Sequence, residues 1–144
     1  VLGLENGWYV ADRRVMRENV RFVIHPATEN ERAIDIELEL TALTEPVQLT
    51  GAAGKGYGGL SLRFAPRLQT TITTATGRQP TDLNLTPLEW ADLSAKFENS
   101  PGQVGVAIFV NPRHPRFPPT WVTRHYGVLG VGWPGVDPHR IEPG

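Results

Sequence analysis

The sequence contains no cysteine, a single methionine and no excess of either charge. Without cysteine there are no disulfides, no thiolate metal ligands and no cysteine nucleophile. Lys+Arg 14 against Asp+Glu 15 leave a net charge of -1, so no bulk field draws the chain to nucleic acid or to an anionic membrane. Neither partner is expected. Apolar runs are also short: the longest, "GVLGVGWPGV", is broken by Gly and Pro, whereas a spanning helix needs roughly 18 apolar residues. The chain starts at Val1 and its only methionine is Met16, which leads us to expect a segment of a larger parent.

What the chain has in quantity is Gly (15) and Pro (13), scattered rather than clustered. That distribution suits many short strands joined by tight turns better than long helices. At 144 residues the length fits one domain, 1–144. Alternation carries the rest. Ile34, Ile36, Leu38 and Leu40 share one side of "AIDIELELTA", with Asp35, Glu37 and Glu39 on the other as a solvated face. "VRFVIH" puts Val20, Phe22 and Ile24 on one side, and the turn residues of "HPATENER" join it to the acidic strand as a hairpin.

In "GLSLRFA" the residues Leu60, Leu62 and Phe64 point inward, and Ser61 and Arg63 point the opposite way. "LQTTITT" reads as a half-exposed strand, and the nearly continuous "VGVAIFV" as a central strand covered on both faces. "WYVADR", "PVQLT", "DLSAKFE", "TWVTRHY" and "GVLGVG" complete about ten short strands. The expected fold is an all-β antiparallel sandwich, of jelly-roll or supersandwich type. One short helical turn is allowed at "TPLE", Thr86 to Glu89, which has capping-box spacing.

Residues 54 to 59, "GKGYGG", match a dinucleotide fingerprint only as letters, since a strand follows where the motif requires a helix N-terminus. They read instead as a loop whose backbone approaches another segment or a ligand closely. The histidines are His25, His114, His125 and His139, with no pair at ligand spacing. A metal site would need assembly from distant strands, and no metal or other cofactor is expected.

"NPRHPRFPPTWVTRHY", from Asn111 to Tyr126, concentrates prolines, arginines and histidines. Proline fixes the backbone and lowers the entropy lost on ordering, so this stretch reads as a stiff site. Alternation puts Val122, Arg124 and Tyr126 on one face and Trp121, Thr123 and His125 on the other. If the first face lines a groove, Arg124 and Tyr126 offer a planar cation and an aromatic polar surface for a carboxylate or a sugar. The structural alternative is an arginine that bonds backbone carbonyls.

Four segments, "IHPATENERAIDIELELTALTEPVQL", "KGYGGLSLRFAP", "EWADLSAKF" and "VGVAIFVNPRHPRFPPTWVTRHYGVLGVGWPG", resemble in this order a bacterial family of mostly uncharacterised proteins labelled methane oxygenase PmoA-like. The resemblance runs from about His25 to Pro134 and would place this chain in the C-terminal part of a longer family member. It implies a β-sandwich in bacteria with rich carbohydrate metabolism, and motif-matching polar positions at His25, Arg63, Asn111, Arg113, His114, Arg124 and Tyr126. "RFPP" departs from it by lengthening the spacing between His-Pro and Trp.

Two functional classes follow. In a carbohydrate-active enzyme of hydrolase, lyase or epimerase type, His114 or His25 would act as acid/base, because imidazole titrates near neutrality. Arg63, Asn111, Arg113, Arg124 and Tyr126 would hold a small-molecule or oligosaccharide ligand. In a non-catalytic binding module, Trp8, Trp90, Trp121 or Trp133 would stack on a sugar ring. An assembly role, as a homo-oligomer or by pairing with an N-terminal half, is compatible with either.

Overall fold

A computed structural model describes residues 1–144. All regular structure is β: β1 (Leu2–Val10), β2 (Arg13–Ile24), β3 (Ile34–Ala42), β4 (Val47–Leu49), β5 (Ser61–Arg63), β6 (Arg67–Thr74), β7 (Gly77–Gln79), β8 (Asn84–Pro87), β9 (Trp90–Phe97), β10 (Gln103–Phe109), β11 (Thr120–Arg124), β12 (Val128–Gly132) and β13 (His139–Ile141). The chain is therefore all-β, with thirteen strands where about ten were expected. The extra ones, β7, β8 and β13, have three or four residues and are too short to show a period. No helical turn forms at "TPLE", whose first two residues, Thr86 and Pro87, end β8 and pair with Trp121 and Thr120 of β11 instead. Tertiary pairing overrides a local capping signal there.

The strands group into two compact units, residues 1–49 with 139–144, and residues 50–138. In the first, β1, β2 and β3 form an antiparallel meander and β4 pairs with β13. Its register aligns Leu2 with Phe22 and Ile36, and Leu4 with Val20 and Leu38, on one face. The other face is a charge ladder: Arg21 to Glu37 at 2.8 Å, Asn19 to Glu39 at 3.0 Å and His25 to Asp35 at 2.8 Å. The solvated carboxylate face read from "AIDIELELTA" is present, yet the apolar face opposite is covered only at its Met16 and Ala42 end, with Ile34 and Leu38 both 51% exposed.

In the second unit two four-stranded antiparallel sheets, β10-β9-β6-β7 and β5-β12-β11-β8, share one core. Ile72, Ala91 and Leu93 from the first sheet pack with Trp121, Leu129 and Val131 from the second. Period-two alternation builds this layer, because Ala91, Leu93 and Ala95 are buried while Asp92, Ser94 and Lys96 face outward. Trp121 is fully buried and its indole N–H donates to the Leu88 carbonyl at 2.8 Å. Truncating such a side chain costs about 3–5 kcal/mol, and its burial removes it from any sugar-stacking role.

β10 corrects one expectation. "VGVAIFV" is an edge strand paired only with β9, and Val104, Val106 and Phe109 are 47%, 40% and 74% exposed. A continuous apolar run states what a strand tolerates around it, and says nothing of how many neighbours the chain supplies.

Candidate functional site

The sheet β5-β12-β11-β8 has a second face, and its register decides what lies there. Paired residues on antiparallel strands share a face. Arg63, Val128 and Arg124 form one row, and Ser61, Gly130 and Val122 the next, with Gly132 opposite Thr120 beyond them. Trp121, Thr123 and Leu129 alternate to the core side. The reading of "TWVTRHY" thus places Val122, Arg124 and Tyr126 correctly on one lining, although β11 ends at Arg124 and Tyr126 reaches the lining from the turn that follows.

This face floors a groove of about 140 Å³, lined by Ser61, Arg63, Val122, Arg124 and Tyr126, with Tyr57 and the glycines at 58, 130 and 132. The volume lies below the roughly 300 Å³ at which drug-sized pockets begin. It suits one small polar unit. Glycine is demanded at Gly132, where a Cβ would stand 2.9 Å from the Thr120 carbonyl oxygen, whereas at Gly130 a Cβ would meet only the rotatable Ser61 hydroxyl at 2.9 Å.

"GKGYGG" supplies the wall. A Cβ on Gly58 would meet the Trp133 carbonyl oxygen at 2.5 Å, and Gly56 and Gly59 have φ of +64° and +66°. The segment is a loop pressed against residues 131–135, followed by a strand and by no helix. It carries Tyr57 to the groove, where Tyr57 Oη accepts from Arg124 Nη2 at 3.2 Å. As an acceptor there, the phenol keeps its own proton to donate.

The two arginines differ. Arg124 Nη1 donates to the Leu83 and Thr123 carbonyls at 2.7 and 2.8 Å, and Nη2 to Asn84 Oδ1 at 3.3 Å as well as to Tyr57. It clamps β11 to the segment before β8. Arg63 is exposed and makes no hydrogen bond or ion pair, so its guanidinium is the unengaged cation of the lining.

Beside the groove, Asp82 Oδ1 accepts from the backbone N–H of His125 and from its Nδ1, each at 2.7 Å. His125 Nε2 lies 3.3 Å from the Gln79 carbonyl. Partial burial pushes the Asp82 carboxyl upward, but the bonds from His125 and the positive charges of His125 and Arg124 outweigh it and hold the group below its ordinary value. Together with Thr123 Oγ1, which accepts from the Leu83 N–H at 3.1 Å, they fasten the segment "GRQPTDLN".

The remaining expected site residues lie elsewhere. His25 belongs to the first unit, exposed and bonded to Asp35. Asn111 turns its own loop, accepting from the Arg113 N–H at 2.9 Å through Oδ1 and from the His114 N–H at 2.8 Å through its carbonyl. His114 stands edge-on to Trp133 with ring centroids 6.1 Å apart. Arg116 ties this loop to the Pro134 and Pro138 carbonyls at 3.3 and 2.8 Å. The structure therefore brings Arg63, Arg124 and Tyr126 together, and keeps His25, Asn111, Arg113 and His114 out of that lining.

Tyr57 and the glycines of the floor were missed as site residues; the reading of "GKGYGG" as a loop that approaches another segment or a ligand closely was the one signal for Tyr57. No cluster of three His, Asp or Glu side chains gathers to hold a metal ion. A larger cleft of about 230 Å³ lies in the first unit, but its charged residues Arg13 and Glu45 pair with each other at 3.2 Å.

No curated protein and no solved structure matches the chain. A family model does match, over residues 2–144, and by that match the chain belongs to DUF6807, a family of unknown function.

Proposed function

We propose that the groove on the β5-β12-β11-β8 sheet binds an acidic sugar unit, such as a uronic acid or the end of an acidic oligosaccharide. The observation that carries this reading is the unengaged Arg63 guanidinium beside Tyr57, Tyr126 and Ser61, over a floor of Val122 and Val128 opened by Gly130 and Gly132. A guanidinium matches a carboxylate bidentately, hydroxyl groups match sugar hydroxyls, and the glycines of the floor let a ring approach the backbone between its two valines. Neither a carboxylate nor a histidine lines the groove, so the binding-module reading ranks above the enzyme. The resemblance to the family labelled PmoA-like, found in bacteria with rich carbohydrate metabolism, points to the same ligand class.

Calorimetric titration with a uronic acid and with its neutral parent sugar tests this. The acid binds, the neutral sugar binds at least tenfold more weakly, and Arg63→Ala removes the difference. Equal affinity for both sugars, or acid binding indifferent to Arg63→Ala, overturns the reading. Turnover of the bound sugar would restore the enzyme reading.

A further inference from the structure

The face of the β1-β2-β3 meander opposite its charge ladder is buried at Met16 and Ala42 but apolar and open over the rest of its length. Leu2, Leu4 and Trp8 from β1, Ile24 from β2, and Ile36 and Leu38 from β3 are between 39% and 52% exposed. The register makes them one patch, since Leu2, Phe22 and Ile36 form one row and Leu4, Val20 and Leu38 the next. Half-exposed side chains of this size leave on the order of 600 Å² open, the upper end of what monomers show.

That area approaches the roughly 800 Å² per partner of a standard stable interface.

The one ionisable side chain on these rows is prepared for cover. Glu18 lies between Asn6 and Leu40 in the register. Its Oε1 accepts from Asn6 Nδ2 at 3.2 Å and its Oε2 from Trp8 Nε1 at 2.6 Å. Both carboxylate oxygens are thus satisfied by neutral donors of the same face, so a second apolar layer can close over it without stranding an unbonded charge. The opposite face, with its ladder of ionic pairs, has the chemistry of a surface left in water.

We propose that this apolar face is a self-association surface whose occupant is a second copy of the chain. The two meanders pack face to face as the layers of a sandwich. The face is its own chemical complement, apolar apart from Asn6 and Glu18, which bond each other, and a two-fold pairing of identical patches buries both at once.

Analytical ultracentrifugation of the whole chain across a hundredfold dilution tests the proposal. The expected result is a dimer that dissociates on dilution. Leu38→Lys, at the centre of the patch, leaves a monomer with an unchanged circular dichroism spectrum, because in the monomer that side chain is half in water already. Glu39→Lys, one residue along on the opposite face, leaves the dimer intact. A monomer at every concentration overturns the proposal, as does a dimer that survives both Leu38→Lys and Ile36→Lys. Open-ended aggregation in place of a dimer overturns it equally, since a face-to-face pair is closed.

Discussion

Arg63 and Arg124 lie in one row of one sheet, and the structure assigns them opposite consequences on truncation. In Arg124→Ala the Leu83 and Thr123 carbonyls lose donors at 2.7 and 2.8 Å in a part-buried setting. The Leu83 carbonyl keeps the Thr123 N–H at 3.0 Å, so the Thr123 carbonyl is the one left short, and leaving such an acceptor unmet costs about 1–3 kcal/mol. The bonds to Tyr57 and Asn84 at 3.2 and 3.3 Å are exposed and add about 0–1 kcal/mol. The total is about 3 kcal/mol. For a unit the size of residues 50–138, a change of 1 kcal/mol moves Tm by about 4–8 °C, so Arg124→Ala melts at least about 10 °C below the parent. Arg63→Ala removes no internal bond and stays within about 0.5 kcal/mol of it. Urea unfolding followed by tryptophan fluorescence measures both. An Arg124→Ala protein as stable as the parent would refute the clamp, and a strongly destabilised Arg63→Ala would refute the reading of Arg63 as unengaged.

Three further expectations follow from the same geometry. Asp82 has its pKa lowered on folding, so the stability it contributes is present above the unfolded carboxyl value and is lost as pH falls through the folded one. Asp82→Ala should therefore cost about 1–2 kcal/mol at pH 7 and progressively less in acid; a cost that does not change with pH would contradict this. Asp92 behaves oppositely: burial raises its carboxyl, and the bond from Ser94 Oγ at 3.0 Å only partly offsets that. The ionised carboxylate is the disfavoured form, so stability falls as pH rises from the unfolded to the folded value. Asp92→Asn should gain over the parent at neutral pH and match it where both are uncharged, as urea midpoints at the two pH values will report. Gly58→Ala forces a Cβ onto the Trp133 carbonyl and should cost about 1–3 kcal/mol. Gly102→Ala, with nothing within 4 Å, should leave the thermal melt unchanged, and equal melts for the two variants would refute the close approach.

Local rules carried much of the fold. Strict alternation marks β3, β5, β9 and β11, and in the second unit the alternate residues point where the period says, with Leu93 in the core and Ser61 and Arg63 outside it. The short strands β7, β8 and β13 have three or four residues each, too few for a period, and only their partners reveal them. The groove was half legible. Arg63, Arg124 and Tyr126 were nominated from the correct face, whereas Tyr57 comes from a loop about 67 positions from Arg124 in the chain, and no spacing rule connects them.

The sequence by itself determined that the chain is all-β, which side of each longer strand is apolar, and that "GKGYGG" opens no helix, because these depend on period and on the φ freedom of neighbouring residues. Tertiary structure alone decided which apolar faces meet. It made "VGVAIFV" an edge strand, left the Leu38 face open while closing the Trp121 face, and engaged Arg124 while leaving Arg63 unbonded. Each of those outcomes depends on residues far apart in the chain arriving side by side, and the free energy of a contact is set by what arrives there.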